Sequence, residues 1–240
     1  MKNAVLISGK PNALLECAPS IIRNFIEPNN ADLFIHYWGE SQTPNPVRSD
    51  LSYSKTRIPN TVWDLIEKIY SPKSVRQDAP INFPTNKYDS IYQPGDPKFI
   101  NNVQSMIYGW YQANLLRYHF PMEKYDMVGR IRFDCYLDTE IKFSELDSNK
   151  IHLYNDCRHE QGCCNDHLAV GSEASMNIYC SLFEQISNLY VAGCPFSGET
   201  LLGRWLKQNN IEISHLDIRH FIWRQMEHLI SKHLEDIKRF

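Results

Sequence analysis

The chain has 240 residues, a length that suits one large domain or one domain with a small appendage. Hydrophobic residues make up 42% and charged residues 22%, which is an ordinary globular composition, and a chain of this length can bury a core without disulfide or metal cross-links. Its net charge of −3 excludes the broad basic surface of a nucleic-acid-binding protein, and we expect no nucleic-acid partner.

Cysteine usage and apolar run lengths predict the compartment. The seven cysteines are an odd number scattered through a core-rich chain, which indicates reduced thiols in a reducing compartment rather than a disulfide framework. The apolar run near the first residue is too short for a signal peptide, and no stretch reaches the ~18 apolar residues that span a bilayer. We therefore expect a cytoplasmic protein without a transmembrane segment. If its substrate is lipid-linked, the protein must reach it peripherally, from the side of the membrane.

The first predicted elements form a β-α-β unit. Residues 4–7 are a continuous apolar run that ends in Ser8-Gly9, which predicts a buried parallel strand and a turn. A helix is predicted over Asn12–Ile26, with Pro19 as a local conflict, and a second buried strand over Leu33–Trp38. This arrangement is the start of a doubly wound α/β sheet.

The middle of the chain alternates polar connections with periodic segments. Residues 39–60 and 71–97 are rich in turn-forming residues and are predicted to be irregular, with a short helix over Val62–Tyr70 between them. Apolar residues at helical spacing predict a long helix over Asn101–Phe120. A third core strand is predicted over Tyr125–Asp134, ending in a carboxylate.

The second half is predicted to contain further strands and helices. In chain order these are a strand over Ile151–Tyr154, a polar loop over Asn155–His167, an apolar segment over Leu168–Gly171, helices over Glu173–Tyr190 and Gly198–Asn209, a strand over Ile211–Leu216 and an amphipathic helix over Phe221–Phe240. The polar face of the terminal helix mixes both signs of charge, so we expect it to pack against its own domain or in a homodimer rather than on anionic lipid.

Four segments carry a resemblance to a known family: Leu6–Pro11 with Asn30–Trp38, Asn102–Trp110, Tyr125–Asp134 and Asn165–Ser172. In order and spacing they resemble viral and bacterial GT-A-type glycosyltransferases that build surface or capsid glycans. The N-terminal glycosyltransferase domain of large chlorella-virus glycan-synthesis proteins belongs to this group.

The resemblance covers residues 3–213 and implies a GT-A-like domain over 1–213, followed by a C-terminal helical extension over 214–240. The implied fold is a Rossmann-related mixed sheet flanked by helices. The implied reaction moves a sugar from a nucleoside-diphosphate sugar, with a UDP-sugar favoured, to a hydroxyl of a glycan or glycolipid. The implied cofactor is Mn²⁺ or Mg²⁺ bridging the donor diphosphate.

Residues at the ends of the first two strands are candidate donor ligands. In open α/β sheets, ligands bind beyond the carboxyl ends of the strands, which is where Ser8 and Gly9 fall. The alternative is an ordinary tight turn. His36 and Trp38 are candidates to line the nucleotide or sugar cleft. Alternatively, Trp38 is a core ring and His36 a satisfied histidine at the end of a strand.

The strongest signal comes from charged residues in an apolar strand. Alternation places Arg130, Arg132 and Asp134 on one face, where buried charges need partners or a function. The resemblance implies that Asp134 binds the metal, with Asp138 as a second ligand. The usual Asp-x-Asp signature is absent because position 132 is arginine, so Arg132, like Arg130, becomes a candidate to bind the donor phosphates. The alternative is an internal Arg–Asp network.

Candidate catalytic residues lie later in the chain. The resemblance implies that Asp166 faces the sugar as the catalytic carboxylate, with Asn165 and His167 contacting the donor. Glu199 is the second catalytic candidate, at the start of a predicted helix. The alternatives are that Asp166 caps the structure after it and that Glu199 only favours the helix dipole.

Three other interpretations stay open. One is a zinc site made by five residues of suitable type but unusual spacing, namely Cys157, His159, Cys163, Cys164 and His167. A second is a sugar nucleotidyltransferase, although Ser8-Gly9-Lys10 offers only a shortened phosphate loop. A third is a catalytically inactive module that binds a nucleotide sugar.

Overall fold

The computed structural model of the protein describes residues 1–39, 62–90, 92–120, 123–154 and 162–222. In these ranges the strands are β1 (Asn3–Gly9), β2 (Asp32–Trp38), β3 (Ser74–Asp78), β4 (Met127–Arg132), β5 (Cys135–Leu137), β6 (Lys150–Tyr154), β7 (Leu168–Ser172), β8 (Glu212–Leu216) and β9 (His220–Ile222). The α-helices are α1 (Leu14–Ile21), α2 (Val62–Tyr70), α3 (Pro97–Tyr118), α4 (Glu173–Cys180), α5 (Leu182–Val191) and α6 (Gly198–Gln208).

The main sheet has seven strands in the order β3-β2-β1-β4-β7-β6-β8. Every neighbouring pair is parallel except the two pairs made by β7, which runs antiparallel to β4 and to β6. Strands β5 and β9 form a separate antiparallel pair. The fold is therefore a mixed, mostly parallel α/β sheet flanked by helices, as predicted, and it is consistent with a GT-A-like, Rossmann-related fold. Because β7 is reversed, its start lies at the same edge as the carboxyl ends of the parallel strands.

Each central strand is buried on both faces, which explains why its sequence is a continuous apolar run. Along β1, Leu6 packs into the core beneath α3, whereas Ile7 packs into the core on the α1 side. Strand alternation extends this division to the polar residues at the strand ends. Ser8 and Arg130 therefore point to the α3 side of the sheet.

The first helix shows how Pro19 is accommodated. Helix α1 ends at Ile21 and continues as a π-helical turn over Ile22–Ile26 and a 3₁₀ turn over Glu27–Asn29. Proline lacks an N–H and cannot make the ordinary hydrogen bond four residues back, which fits the change to irregular turns after it. The predicted helix over 12–26 is thus confirmed in part, with a shorter α-helical section.

Three predictions about secondary structure are wrong. The stretch 71–97 contains β3, a strand at the edge of the sheet. The helix predicted over Glu173–Tyr190 is two helices that meet at Ser181. His220–Ile222 forms β9 instead of the start of the terminal helix, because it finds a partner in β5. The rest of that helix and nearly all of the loop predicted over 39–60 lie outside the described residues. Strand β8 crosses the predicted domain boundary at residue 213.

The cysteines differ in state. Five described cysteines are free and buried, namely Cys17, Cys135, Cys164, Cys180 and Cys194. Cys163 is disulfide-bonded, so the expectation that every thiol is reduced is wrong. Across the described part of the chain, none of the helices combines the length and apolar character needed to cross a membrane.

Candidate active site

The strand register brings the predicted site residues to one edge of the sheet. Ser8 lies opposite His36 on one side and Arg132 on the other. The start of β7 pairs with β4 through Leu168 and Ile131, so the residues just before β7 reach the same edge. The donor-binding and catalytic candidates from the first, third and fourth resemblance segments therefore converge, as expected for an α/β sheet that binds ligands beyond its carboxyl ends.

Arg130 is a buried cation that pairs with no carboxylate among the described residues. Its side chain is 1% exposed, and its guanidinium lies over the ring of Trp110, 4.6 Å from the centroid. One terminal nitrogen donates a hydrogen bond to the backbone carbonyl of Asp166, whereas Nε has no partner. Within the described ranges no carboxylate forms an ion pair with it. A buried charge is costly unless it is paired, so this position is suited to an anionic ligand.

Arg132 differs from Arg130 in having its own carboxylate. Its Nε donates to Oδ1 of Asp134 and a terminal nitrogen donates to Oδ2, both at 2.8 Å. Burial alone would lower the pKa of Arg132, but the hydrogen bonds to Asp134 outweigh it and raise that pKa. The internal Arg–Asp network that the sequence left open is thus present at Arg132 and absent at Arg130.

The two predicted metal ligands do not form a divalent-cation site as they stand. Both carboxylate oxygens of Asp134 accept hydrogen bonds from Arg132. Asp138 is exposed, lies beyond β5 and accepts a hydrogen bond from Thr139 Oγ1. No set of three or more His, Cys, Asp or Glu side chains is placed to hold a metal ion in the part of the chain that the structure describes.

Replacing Asp134 with asparagine is expected to destabilise the fold by about 3–5 kcal/mol, because the substitution leaves the Arg132 guanidinium partly buried and unpaired. Asp138→Asn, at an exposed position, should change stability by less than about 0.5 kcal/mol. Urea unfolding of the two variants measures the difference. If Asp134→Asn is as stable as Asp138→Asn and loses only an activity that depends on Mn²⁺ or Mg²⁺, Asp134 is a metal ligand after all.

His36 is held by Asp78, a residue that the sequence analysis did not single out. Its ring is fully buried, and Nε2 lies 3.2 Å from Oδ2 of Asp78 at the end of β3. Burial lowers the pKa of His36, although the bond to Asp78 opposes this effect. Burial would raise the pKa of Asp78, but hydrogen bonds from His36 and Arg76 lower it to about 2. His36 is therefore held by an ionised carboxylate.

Two buried polar atoms beside the His36–Asp78 pair have no hydrogen-bond partner among the described residues. They are Oγ of Ser8 and Nδ1 of His36. Both face α3 at Gly109, where an added Cβ would lie 3.4 Å from Nδ1 and 3.5 Å from the Cβ of Ser8. Trp38 is 7% exposed and stacks on Tyr108, with ring centroids 5.5 Å apart. Trp38 is therefore part of the core that backs the site.

The residues before β7 form a connected group. The side chain of Asp166 is almost fully buried, with Oδ1 3.6 Å from Nε2 of His167. Asn165 accepts a hydrogen bond from the backbone N–H of His167 at 2.8 Å. Nδ1 of His167 lies 3.0 Å from Nε2 of His220 on β9. Burial lowers the pKa of His167, although nearby Asp166 opposes this effect.

Asp166 also approaches the first turn of α6. A Cβ added at Gly198 would lie 3.2 Å from Oδ2 of Asp166, so glycine leaves room for this carboxylate. The positive end of the helix dipole favours an ionised carboxylate there. The N-caps of α4 and α6 are Ser172 and Ser197, whose side chains accept backbone N–H bonds, so Asp166 caps neither helix.

Glu199 lies in the first turn of α6 and is partly exposed. Its backbone carbonyl accepts a hydrogen bond from Cys164, which ties α6 to the segment that contains Asp166. The zinc alternative is weakened because Cys163 is disulfide-bonded and has no thiolate to offer. Cys157 and His159 lie outside the described residues.

No protein-family model matches the chain, and neither does any curated protein sequence. The structure is similar to the crystal structure of a glycosyltransferase involved in the glycosylation of the major capsid of PBCV-1, with a TM-score of 0.47 and 8% sequence identity. That similarity covers 90% of this chain and 82% of the other. It concerns the course of the chain and assigns no role to any residue.

Proposed function

We propose that the protein is a glycosyltransferase that moves a sugar from a nucleoside-diphosphate sugar to a hydroxyl of a glycan or glycolipid. The observation that carries the proposal is Arg130, a fully buried guanidinium at the carboxyl edge of the sheet that no carboxylate of the described residues neutralises. A guanidinium has the fork geometry that binds phosphate oxygens. The four-segment sequence resemblance supports the same activity and favours a UDP-sugar.

In this proposal Arg130 binds the diphosphate and Asp166 faces the acceptor. The bond between the anomeric carbon and the diphosphate oxygen breaks, and its electron pair leaves with the diphosphate. The acceptor oxygen forms a new bond to the anomeric carbon, and its proton passes to the Asp166 carboxylate. Arg130 stabilises the charge that develops on the departing diphosphate, in a site from which bulk water is largely excluded.

Further residues have supporting roles in the proposal. Ser8 and His36 have buried polar atoms free to bind the donor at the end of β1 and β2. Asn165 and His167 hold the segment that carries Asp166. Arg132 stays hydrogen-bonded to Asp134 through its guanidinium and shapes the site. A dependence on Mn²⁺ or Mg²⁺ stays a prediction of the resemblance.

A donor panel tests the proposal. Thermal unfolding is measured with UDP-, GDP-, dTDP- and CMP-sugars, each with EDTA, with Mn²⁺ and with Mg²⁺. A donor at 100 times its Kd should stabilise the fold by about 2.7 kcal/mol. The best donor is then assayed for hydrolysis and transfer. Lack of stabilisation by every donor under every metal condition would overturn the proposal, and binding without turnover would indicate an inactive sugar-nucleotide-binding module.

A further inference from the structure

Strand β9 brings a histidine from the far end of the chain to the candidate active site. β9 pairs with β5, the strand that follows Asp134, and His220 lies opposite Leu137 in that pair. The side chain of His220 is buried, and the ring of Tyr154 packs edge-on against it. These contacts fix the His220 ring against His167, with 3.0 Å between Nε2 of His220 and Nδ1 of His167.

Two imidazole nitrogens at this distance share one proton, so one nitrogen donates and the other accepts. The surroundings of His167 favour neutral imidazole, because burial and the nearby arginines Arg130 and Arg132 lower its pKa, although Asp166 and Asp134 oppose them. The other nitrogen of His167, Nε2, lies 3.6 Å from Oδ1 of Asp166. An N–H facing a carboxylate is attractive, whereas a lone pair facing it is repulsive.

The lower-energy arrangement therefore has the His167 proton on Nε2, facing Asp166. Nδ1 of His167 is then a lone pair, and the proton between the two rings belongs to Nε2 of His220. Which ring nitrogen carries the proton is set by the hydrogen bond that the other nitrogen makes.

We propose that His220 is a positioning residue that donates its Nε2 proton to Nδ1 of His167, fixing the other His167 proton on Nε2 beside Asp166. Through His167 it keeps a positive N–H end next to the carboxylate and holds that carboxylate in place. The effect on turnover rests on the proposed glycosyltransferase function, but the proton arrangement itself does not. Residues beyond position 213 would then complete the site rather than form an appendage.

The arrangement is measured directly by NMR of protein labelled with ¹⁵N in its histidines, which reports the protonated nitrogen of each ring. His167→Gln identifies the His167 signals by their loss. In the unmodified protein His167 should be protonated on Nε2 only. His220→Phe keeps a ring against Tyr154 but removes the donor, so the fraction of His167 protonated on Nδ1 should rise, while the Asp166 carboxylate still favours the Nε2 form. His220→Gln keeps an amide donor and should retain the Nε2 form.

Kinetics supply the second readout. With the donor found by the panel, His220→Phe should lower kcat about tenfold and leave the donor KM unchanged. This is the modest effect expected when an acid–base group loses its support. His220→Gln should retain most of the kcat of the unmodified protein. Protonation of His167 on Nδ1 in the unmodified protein, or an unchanged His167 pattern in His220→Phe, overturns the inference. If the NMR patterns are as expected but no donor is turned over by the unmodified protein, the glycosyltransferase proposal fails and the proton arrangement stands.

Discussion

Arg130→Met is expected to weaken binding of the nucleoside diphosphate about 10²-fold while leaving the fold as stable as the unmodified protein, or more stable. A hydrogen bond to a charged group contributes about 1.5–3 kcal/mol, and two such bonds to a diphosphate account for the loss. The gain in stability follows because methionine fills similar space without a buried charge that lacks a carboxylate partner. Calorimetric titration with the diphosphate and urea unfolding measure the two effects.

Arg117→Met is the matched control. Arg117 is 2% exposed, as deeply buried as Arg130, but it forms an ion pair with Glu173 and hydrogen bonds with Asn114 and Asn177. Its replacement should destabilise the fold by about 3 kcal/mol and leave nucleotide affinity unchanged, because the partly buried Glu173 carboxylate loses its partner and the hydrogen bonds to Asn114 and Asn177 are lost. If Arg130→Met loses as much stability as Arg117→Met and binds the diphosphate normally, Arg130 is a structural residue and the functional proposal loses its main support.

The elements that could be predicted from sequence are those whose pattern is set by burial. Strands β1, β2 and β4 are continuous apolar runs because they are covered on both faces. The bounds of α2 match the predicted Val62–Tyr70, and α3 lies within four residues of its prediction at the start. In these segments the local pattern and the tertiary environment agree, so a single sequence is sufficient.

The elements that were missed depend on partners far along the chain. Strand β3 is polar because it lies at the edge of the sheet, and it is defined by pairing with β2 some 40 residues earlier, as in His36 opposite Arg76. Strand β9 has three residues and exists through its contact with β5. Asp78 and His220 were missed for the same reason, since each belongs to one of these strands. Val75 is the single apolar residue between Ser74 and Asp78, so no alternating pattern marked β3 in the sequence.

The site shows a similar limit. Arg130 and Arg132 are equivalent in the sequence, because alternation places both on one face of β4. Their difference arises from their neighbours. Arg132 pairs with Asp134 in the same segment, whereas Arg130 lies over the Trp110 ring and donates to a backbone carbonyl 36 residues away. A buried charge that is paired indicates a structural role, whereas a buried charge without a counter-charge indicates a candidate ligand-binding site. That distinction is visible only in three dimensions.

Asp166→Asn is expected to lower kcat about 10²-fold or more with the donor Kd nearly unchanged. The substitution keeps the shape of the side chain and removes its charge, so it tests the carboxylate as proton acceptor or as electrostatic partner of the sugar. The position suits either role, because the side chain is almost fully buried beside His167 and the first turn of α6, while Arg130 holds the backbone carbonyl of the same residue. In the proposed function, Asp166 thus links the cation proposed to bind the diphosphate to the acceptor side.

The control is Asp147→Asn. Asp147 lies in an exposed turn before β6, so its replacement should leave turnover unchanged. Asp166→Asn should also unfold at nearly the same urea concentration as the unmodified protein, because neither of its oxygens accepts a hydrogen bond that caps α4 or α6. Near-normal turnover in Asp166→Asn would remove it from the chemistry. Glu199→Gln, measured alongside, would then decide the question, since Glu199 is the other candidate carboxylate and lies one residue beyond Gly198 at the same helix terminus.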